Sequence, residues 1–386
     1  MSIFNSLGSN YNLKYILKSL FSNSDGQIQK LKNFLETKYQ GKVILTYKGR
    51  EALILALKIL NLPEKSEIAI NGFTCFAVYK AIEKAGVKPV CLDLDEKNND
   101  LNFTPEILEK TLGENENIKA VVVQNTLGYS SDIEKIAKIC KEKSLILIED
   151  LAHCVGAKCE SGKEAGTVGD FAILSFSQDK IIDAVSGGAL IIRNKKYQNY
   201  KSEFVFKEPK SQLKDKFYPY LTFKIRKGYD WGLGKPIHFI LKSLNFLSKP
   251  MQEGLYDFYS LPNWYCNLAL IEFSNLSQQL NHRKEIAKIY AKKLAGKILQ
   301  KNITGKINLS SNLRFPIFTE NRKGLIEFLK KYKIFVSDVW YDDVAPECPN
   351  AVVISKTILN LPTHINITEK DALKISERIN EWLKSQ

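Results

Sequence analysis

The chain has 386 residues, 44% of them hydrophobic and 25% charged, with a net charge of +14; it is too long for one small core and too apolar for a disordered protein, so one large domain and a smaller one are expected. No run reaches the roughly 18 apolar residues of a membrane span, and the N-terminus lacks an apolar core with a small-residue cleavage site, which makes a cytoplasmic protein the expectation. Seven cysteines without a CxxC pair read as free thiols, and four widely separated histidines (His153, His238, His282, His364) offer no local zinc motif, so no metal is expected.

Residues 1–27 read as an N-terminal arm, with Leu13, Ile16, Leu17, Leu20 and Phe21 at helical spacing. A helix over 27–39 places Ile28, Leu31 and Leu35 on one face. A strand over 43–46 follows, then Gly49 and a strongly apolar helix. Strands are expected at 68–70, 90–94, 120–124, 145–150, 171–175 and 188–193. Between them lie helices at 76–85 (ended by Gly86), from Thr104 (with Pro105 and Glu106 as start signals) and at 132–142. Continuous Val/Ile/Leu runs separated by amphipathic helices indicate a mostly parallel sheet with helices on both faces. The segment 197–255 breaks this rhythm. It is aromatic and basic, and 195–249 holds 13 Lys/Arg against 4 Asp/Glu. A long helical pattern at 268–293, strands at 314–318, 334–339 and 357–361, and a final helix at 368–384 fit a smaller α+β domain. The expected division is an arm 1–27, a large α/β domain 28–255 carrying the 197–255 insertion, and a small domain 256–386.

The chemistry-bearing residues sit at the ends of these strands. Asp150 closes the apolar run Leu145-Ile146-Leu147-Ile148-Glu149-Asp150, and Lys180 follows thirty residues later in Ser175-Phe176-Ser177-Gln178-Asp179-Lys180. A carboxylate emerging at the carboxyl edge of a parallel sheet lies where open α/β folds bind ligands. A loop lysine beyond it is the pairing that pyridoxal phosphate chemistry needs: the amine holds the cofactor's aldehyde, and the carboxylate keeps the pyridine nitrogen protonated. Gly49 and Arg50 open a helix, whose N–H groups and positive dipole end suit a phosphate.

Several separated motifs agree with this reading. They are Tyr47-Lys48-Gly49-Arg50-Glu51-Ala52-Leu53, Gly72-Phe73-Thr74, Glu149-Asp150-Leu151-Ala152-His153 with Gly156-Ala157, Gly169-Asp170-Phe171 through Ser175 to Lys180, Gly187-Gly188-Ala189, and Asn360-Leu361-Pro362-Thr363-His364. Their order and spacing resemble the DegT/DnrJ/EryC1/StrS family, pyridoxal phosphate-dependent sugar aminotransferases of fold type I. The resemblance covers nearly the whole chain, from about residue 43 to 383.

The resemblance implies roles for individual residues. Lys180 matches the lysine that carries the cofactor and then shuttles a proton, and Asp150 matches the partner of the pyridine nitrogen. Ser175 and the backbone at Gly49 and Arg50 match phosphate contacts, although many members carry a smaller polar residue in place of Arg50. His153 stands where many have a glutamine near the 3-hydroxyl, and Cys75 where an aromatic residue often packs on the ring. Asn263 matches an asparagine that reaches the cofactor phosphate of the other subunit, so a homodimer with interfacial active sites is implied; the usual arginine two residues on is Tyr265 here.

The implied activity moves an amino group, from glutamate, to a keto carbon of a nucleotide-linked sugar. Other pyridoxal phosphate chemistry on sugars or amino acids stays open, as does a non-catalytic sensor or scaffold. The aromatic and basic stretch 217–248 fits either an insertion packed on its own domain or partner, or a peripheral contact with an anionic bilayer. No recognition motif for nucleic acid accompanies the charge.

Overall fold

A computed structural model describes residues 2–21, 25–95, 100–200, 210, 212–248, 258–336 and 344–386. In chain order its strands are β1 (Ile3–Phe4), β2 (Lys42–Thr46), β3 (Glu67–Asn71), β4 (Lys88–Leu92), β5 (Ile118–Gln124), β6 (Ile146–Asp150), β7 (Phe171–Ser175), β8 (Gly188–Ile192), β9 (Arg314–Phe318), β10 (Ile334–Phe335) and β11 (Ile358–Pro362). Seven of them form one sheet in the order β2-β8-β7-β6-β5-β3-β4. The pairings from β4 through β7 are parallel, and β8 runs antiparallel to both of its neighbours. This is the mostly parallel α/β architecture that the apolar runs predict.

Alternation along the strands gives each sheet face its own core. Ile68, Ile70, Ala120, Val122, Ile148 and Ile173 face the helix Gly49–Leu60, whose interior is apolar on nearly every side. Ala69, Val121, Val123 and Leu147 face the helices Pro105–Glu114 and Ile133–Glu142. Nearer β2 and β8, Val43, Ala172, Leu174, Ala189 and Ile191 pack with Leu31, Leu35 and the helix Asn263–Ser274. Thr104 and Asp132 cap their helices through side-chain oxygens, as their positions before the apolar repeats predict.

The C-terminal elements surround an antiparallel pair, β9 with β11, covered by Ile286, Tyr290, Leu325, Leu329, Ile375 and Ile379. The pattern at 268–293 is two helices, Asn263–Ser274 and Leu276–Lys293, broken at Asn275. The side-chain amide of Asn275 donates to the Ile271 carbonyl at 3.0 Å, competing with the helix's own bonding. The strand expected at 334–339 is described only as β10, and 337–339 lie outside the described residues, as does the expected domain boundary at 255/256.

The N-terminal segment is tied down along its length. β1 pairs in parallel with β10, and Tyr11 and, within the helix Leu13–Phe21, Tyr15 are buried. Within the described part of the irregular segment, 212–248, two helices, Gln212–Asp230 and Gly234–Ser243, turn back on one another at Gly228 and Gly234. A β-carbon on Gly228 would stand 3.2 Å from the Gly234 Cα, so the two helices approach closely at this pair of glycines. Among the described residues no helix is long and apolar enough to cross a membrane.

Candidate active site

The carboxyl ends of β6 and β7, the start of the helix Gly49–Leu60 and the loop after β7 converge on a cavity of about 920 Å³. Its inner wall carries Gly49, Arg50, Asp150, His153, Ser175 and Lys180, six of the seven residues singled out by sequence. Thr74, Cys75 and Gln124 join them; the Thr74 hydroxyl donates to the Gln124 side-chain oxygen at 2.5 Å.

Asp150 is the last residue of β6 and is buried, its Oδ1 accepting the Ala152 N–H at 2.9 Å. Burial raises its pKa, while the Ala152 N–H and the Lys180 charge oppose the rise. The preceding Glu149 fixes this edge: its carboxylate accepts N–H bonds from Gly166, Val168 and Gly169 at 2.6–2.8 Å, shaping the connection from β6 to β7.

Lys180 is half-buried on the loop after β7. Burial lowers its pKa, with Cys75 and Asp150 pulling the other way, so more of the amine is neutral than in water. The loop is held from behind by Asp183. Its carboxylate accepts from the Asp179 N–H (2.8 Å), the Val185 N–H (3.0 Å), the Tyr11 hydroxyl (2.7 Å) and the Asn10 amide (3.0 Å). Asp179 itself sits in the left-handed region at φ 63°, a strained conformation that this clamp stabilises. The N-terminal arm therefore acts on the Lys180 loop directly.

His153 is buried, and its Nδ1 accepts the Leu127 N–H at 3.2 Å. That bond places the ring proton on Nε2, making His153 a neutral donor. Burial drives its pKa well below the usual value, and the Lys180 and Arg314 charges add to the effect.

Gly49 begins its helix against the end of β7. A β-carbon there would lie 2.9 Å from the Ser175 Cβ and 3.1 Å from the Leu174 carbonyl oxygen. Helix start and serine hydroxyl thus share one small cradle of donors.

The seventh predicted residue lies elsewhere, as does Tyr265, which stands where the family's arginine is usual. Asn263 opens its helix outside the cavity, where its Oδ1 accepts the Ile28 N–H at 3.1 Å. Tyr265 is fully buried and donates to Asp215 at 2.6 Å. Sequence reasoning missed Lys48, a buried cavity residue whose pKa burial lowers, although it stands inside the motif that drew attention to Gly49. It also missed the outer wall, built from Phe4, Tyr229, His238, Lys242 and Phe335.

The inner donor set fits pyridoxal 5′-phosphate. Asp150 is a buried carboxylate whose charge a protonated ring nitrogen would balance, and the Gly49–Ser175 cradle suits a phosphate. Lys180 supplies an amine for the aldehyde, and the His153 Nε2–H a donor for the ring oxygen.

A model of the DegT/DnrJ/EryC1/StrS aminotransferase family matches residues 17–226 and 251–380. The GDP-perosamine synthase of Escherichia coli O157:H7 is 25% identical over 379 residues, 95% of this chain and 93% of that protein. A pleiotropic regulatory protein of Geobacillus stearothermophilus is 35% identical over 146 residues, and the match spans only 38% of the length of either protein. Helicobacter pylori PseC, an aminotransferase of pseudoaminic acid biosynthesis, superimposes with a TM-score of 0.74 over 100% of both chains at 18% identity, which speaks for the fold. The chain belongs to the DegT/DnrJ/EryC1/StrS aminotransferase family, and pyridoxal 5′-phosphate is its cofactor.

Proposed function

We propose that this aminotransferase moves an amino group from L-glutamate to a keto carbon of a nucleotide-linked sugar. The observation that carries the reading is the convergence of Lys180, Asp150 and Ser175 on one cavity. Relatives with substrates of this kind support it: a GDP-perosamine synthase, and a Campylobacter jejuni transaminase named for a UDP-linked amino sugar, 27% identical over 345 residues.

When bound, the cofactor supplies an electron sink for the carbon that loses its proton. The chain's own groups do the rest. The Lys180 amine, whose pKa burial lowers, would take a proton from the substrate carbon and return one at the other end of the transfer. Asp150 holds the proton on the ring nitrogen through its charge. The Nε2–H of His153 orients the ring oxygen, and Ser175 with the Gly49 and Arg50 end of the helix holds the phosphate. The test is product formation: holoenzyme treated with L-glutamate and then with nucleotide-linked keto sugars yields an amino sugar detected by mass spectrometry. Conversion of amino acids alone would favour another pyridoxal phosphate reaction, and no conversion with bound cofactor would favour a sensor or scaffold.

The same reading includes a homodimer. Asn263 does not line its own chain's cavity, so its expected phosphate contact needs a second copy. Leu13, Leu17 and Phe21 on one helix, and Phe239, Ile240 and Leu244 on another, are exposed and would be covered by such a partner. Light scattering of the holoenzyme tests this. A monomer that floats with anionic vesicles would instead assign the 217–248 face to a bilayer.

A further inference from the structure

Beside the Gly49–Ser175 cradle lies a buried cation, Lys48. It directly precedes Gly49 at the start of the helix Gly49–Leu60, is 5% exposed and lines the cavity. Its backbone is held from two sides. The Thr46 hydroxyl donates to the Lys48 carbonyl at 2.9 Å. Gly188 of β8 packs so close that a β-carbon there would lie 2.8 Å from the Lys48 carbonyl carbon and 2.7 Å from the Gly49 nitrogen. The side chain therefore starts one residue from the cradle, on a backbone pinned to the sheet.

The surroundings of the Lys48 amine leave its charge unmatched. Among the described residues it makes no hydrogen bond and no ion pair, and it stands 4.7 Å from the centroid of the Tyr47 ring. Asp215 is an acidic neighbour, but it lies beyond ion-pair distance and is committed elsewhere: one of its oxygens accepts from the Tyr47 and Tyr265 hydroxyls at 2.5 and 2.6 Å. Glu51, the other carboxylate that acts on Lys48, keeps its own proton at neutral pH, because burial pushes its pKa up to about 8. Arg50, the next cation along the helix, has its Nε and Nη2 enclosed by protein; the Lys48 amine is not sealed in this way. Burial lowers the Lys48 pKa, and a buried lysine without a carboxylate beside it is costly unless an anion joins it.

The cofactor brings such an anion. A phosphate monoester carries about −1.5 to −2 charges near neutral pH. The groups placed around it above, the helix N–H groups, the Ser175 hydroxyl and the Asn263 amide of a second copy, are neutral. We propose that Lys48 is the charged contact to the phosphate of pyridoxal 5′-phosphate, supplied by the same chain whose Lys180 takes the aldehyde. The helix end and the serine hydroxyl orient the phosphate, and Lys48 adds a point charge that a ligand without phosphate cannot use. This rests on the placement of the phosphate at the Gly49–Ser175 cradle and is independent of the amino donor and acceptor.

The test compares pyridoxal phosphate with pyridoxal on cofactor-free protein, by equilibrium dialysis and by the rise in melting temperature that each ligand gives. Lys48→Met should weaken pyridoxal phosphate at least about tenfold, the scale of one lost charge-assisted hydrogen bond, and shrink the rise in melting temperature that it gives. Pyridoxal should bind the variant as it binds wild type, which certifies the fold. Lys48→Gln, polar but uncharged, should lose as much, and takes the place of the methionine variant if that one does not fold. Lys48→Arg should keep most of the affinity. Inorganic phosphate should compete with pyridoxal phosphate on wild-type protein and compete more weakly on Lys48→Met. A Lys48→Met variant that binds pyridoxal phosphate as tightly as wild type, or that loses both ligands equally, overturns the proposal. Ser175→Ala on the same ligands judges the cradle separately: discrimination lost in Ser175→Ala but kept in Lys48→Met removes Lys48 alone, and discrimination kept in both removes the cradle as well.

Discussion

Gly49 and Ser175 stand so close that a β-carbon on the glycine would fall 2.9 Å from that of the serine. The contact joins the first turn of a helix to the last residue of a strand, so the helix start and the serine lie side by side in the cradle proposed for the cofactor phosphate. Gly49→Ala must push against the backbone of β7, because the Leu174 carbonyl oxygen is the next atom, at 3.1 Å. The expected result is weaker affinity for pyridoxal phosphate, by tenfold or more in order of magnitude, with little change for pyridoxal, which lacks the phosphate. Ser175→Ala should show the same selectivity with a smaller loss. Equilibrium dialysis with both ligands measures it.

In the proposed mechanism Asp150 acts through its charge on the ring nitrogen, so Asp150→Ala should retain bound cofactor and lose turnover. A fall in kcat of about a hundredfold corresponds to roughly 3 kcal/mol of transition-state stabilisation. Steady-state assay of the variant with saturating cofactor checks this.

His153 is a fixed donor. Its Nδ1 is occupied by the Leu127 N–H, and its pKa lies well below the usual value because it is buried. His153→Gln supplies another donor and should keep cofactor affinity within a few-fold, whereas His153→Leu removes the donor and should lose about tenfold. With its Nδ1 held as an acceptor by the Leu127 N–H, His153 adds no ionisation of its own to the reaction, so the pH profiles of wild type and the glutamine variant should coincide.

Glu51 carries a pH dependence of stability. It is fully buried in the first turn of its helix, and burial pushes its pKa up to about 8, against the opposing Tyr47 N–H at 3.0 Å. Between the ordinary 4.5 and that value the folded chain holds a proton that the unfolded chain has released. Stability therefore falls as pH rises through this window. Glu51→Gln, which has no proton to lose, should gain in melting temperature relative to wild type on going from pH 5 to pH 8.

Much of this was legible in the sequence, for physical reasons that differ by element. β6 and β7 are buried on both faces and read as continuous apolar runs, so their polar last residues, Asp150 and Ser175, stood out as the sheet edge. The helix Gln212–Asp230 was not legible, because Pro219 ordinarily ends a helix. Here the Thr222 hydroxyl donates to the Tyr218 and Pro219 carbonyls, bonding within the proline's turn. The outer wall was hidden for another reason. Phe4 and Phe335 meet only through the two-residue pairing of β1 with β10, which no local pattern announces. The clamp of Asn10 and Tyr11 on Asp183 is equally non-local.

The central claim is that Lys180 carries the cofactor for amino transfer. Its most direct test is the absorbance spectrum of the protein with pyridoxal phosphate, before and after L-glutamate, beside Lys180→Ala. The account predicts a visible band from lysine-bound cofactor in the wild type, its replacement by the near-ultraviolet band of the amine form on adding glutamate, and no lysine-bound band in the variant. An identical visible band in Lys180→Ala, or a wild-type band that glutamate leaves untouched, would contradict it.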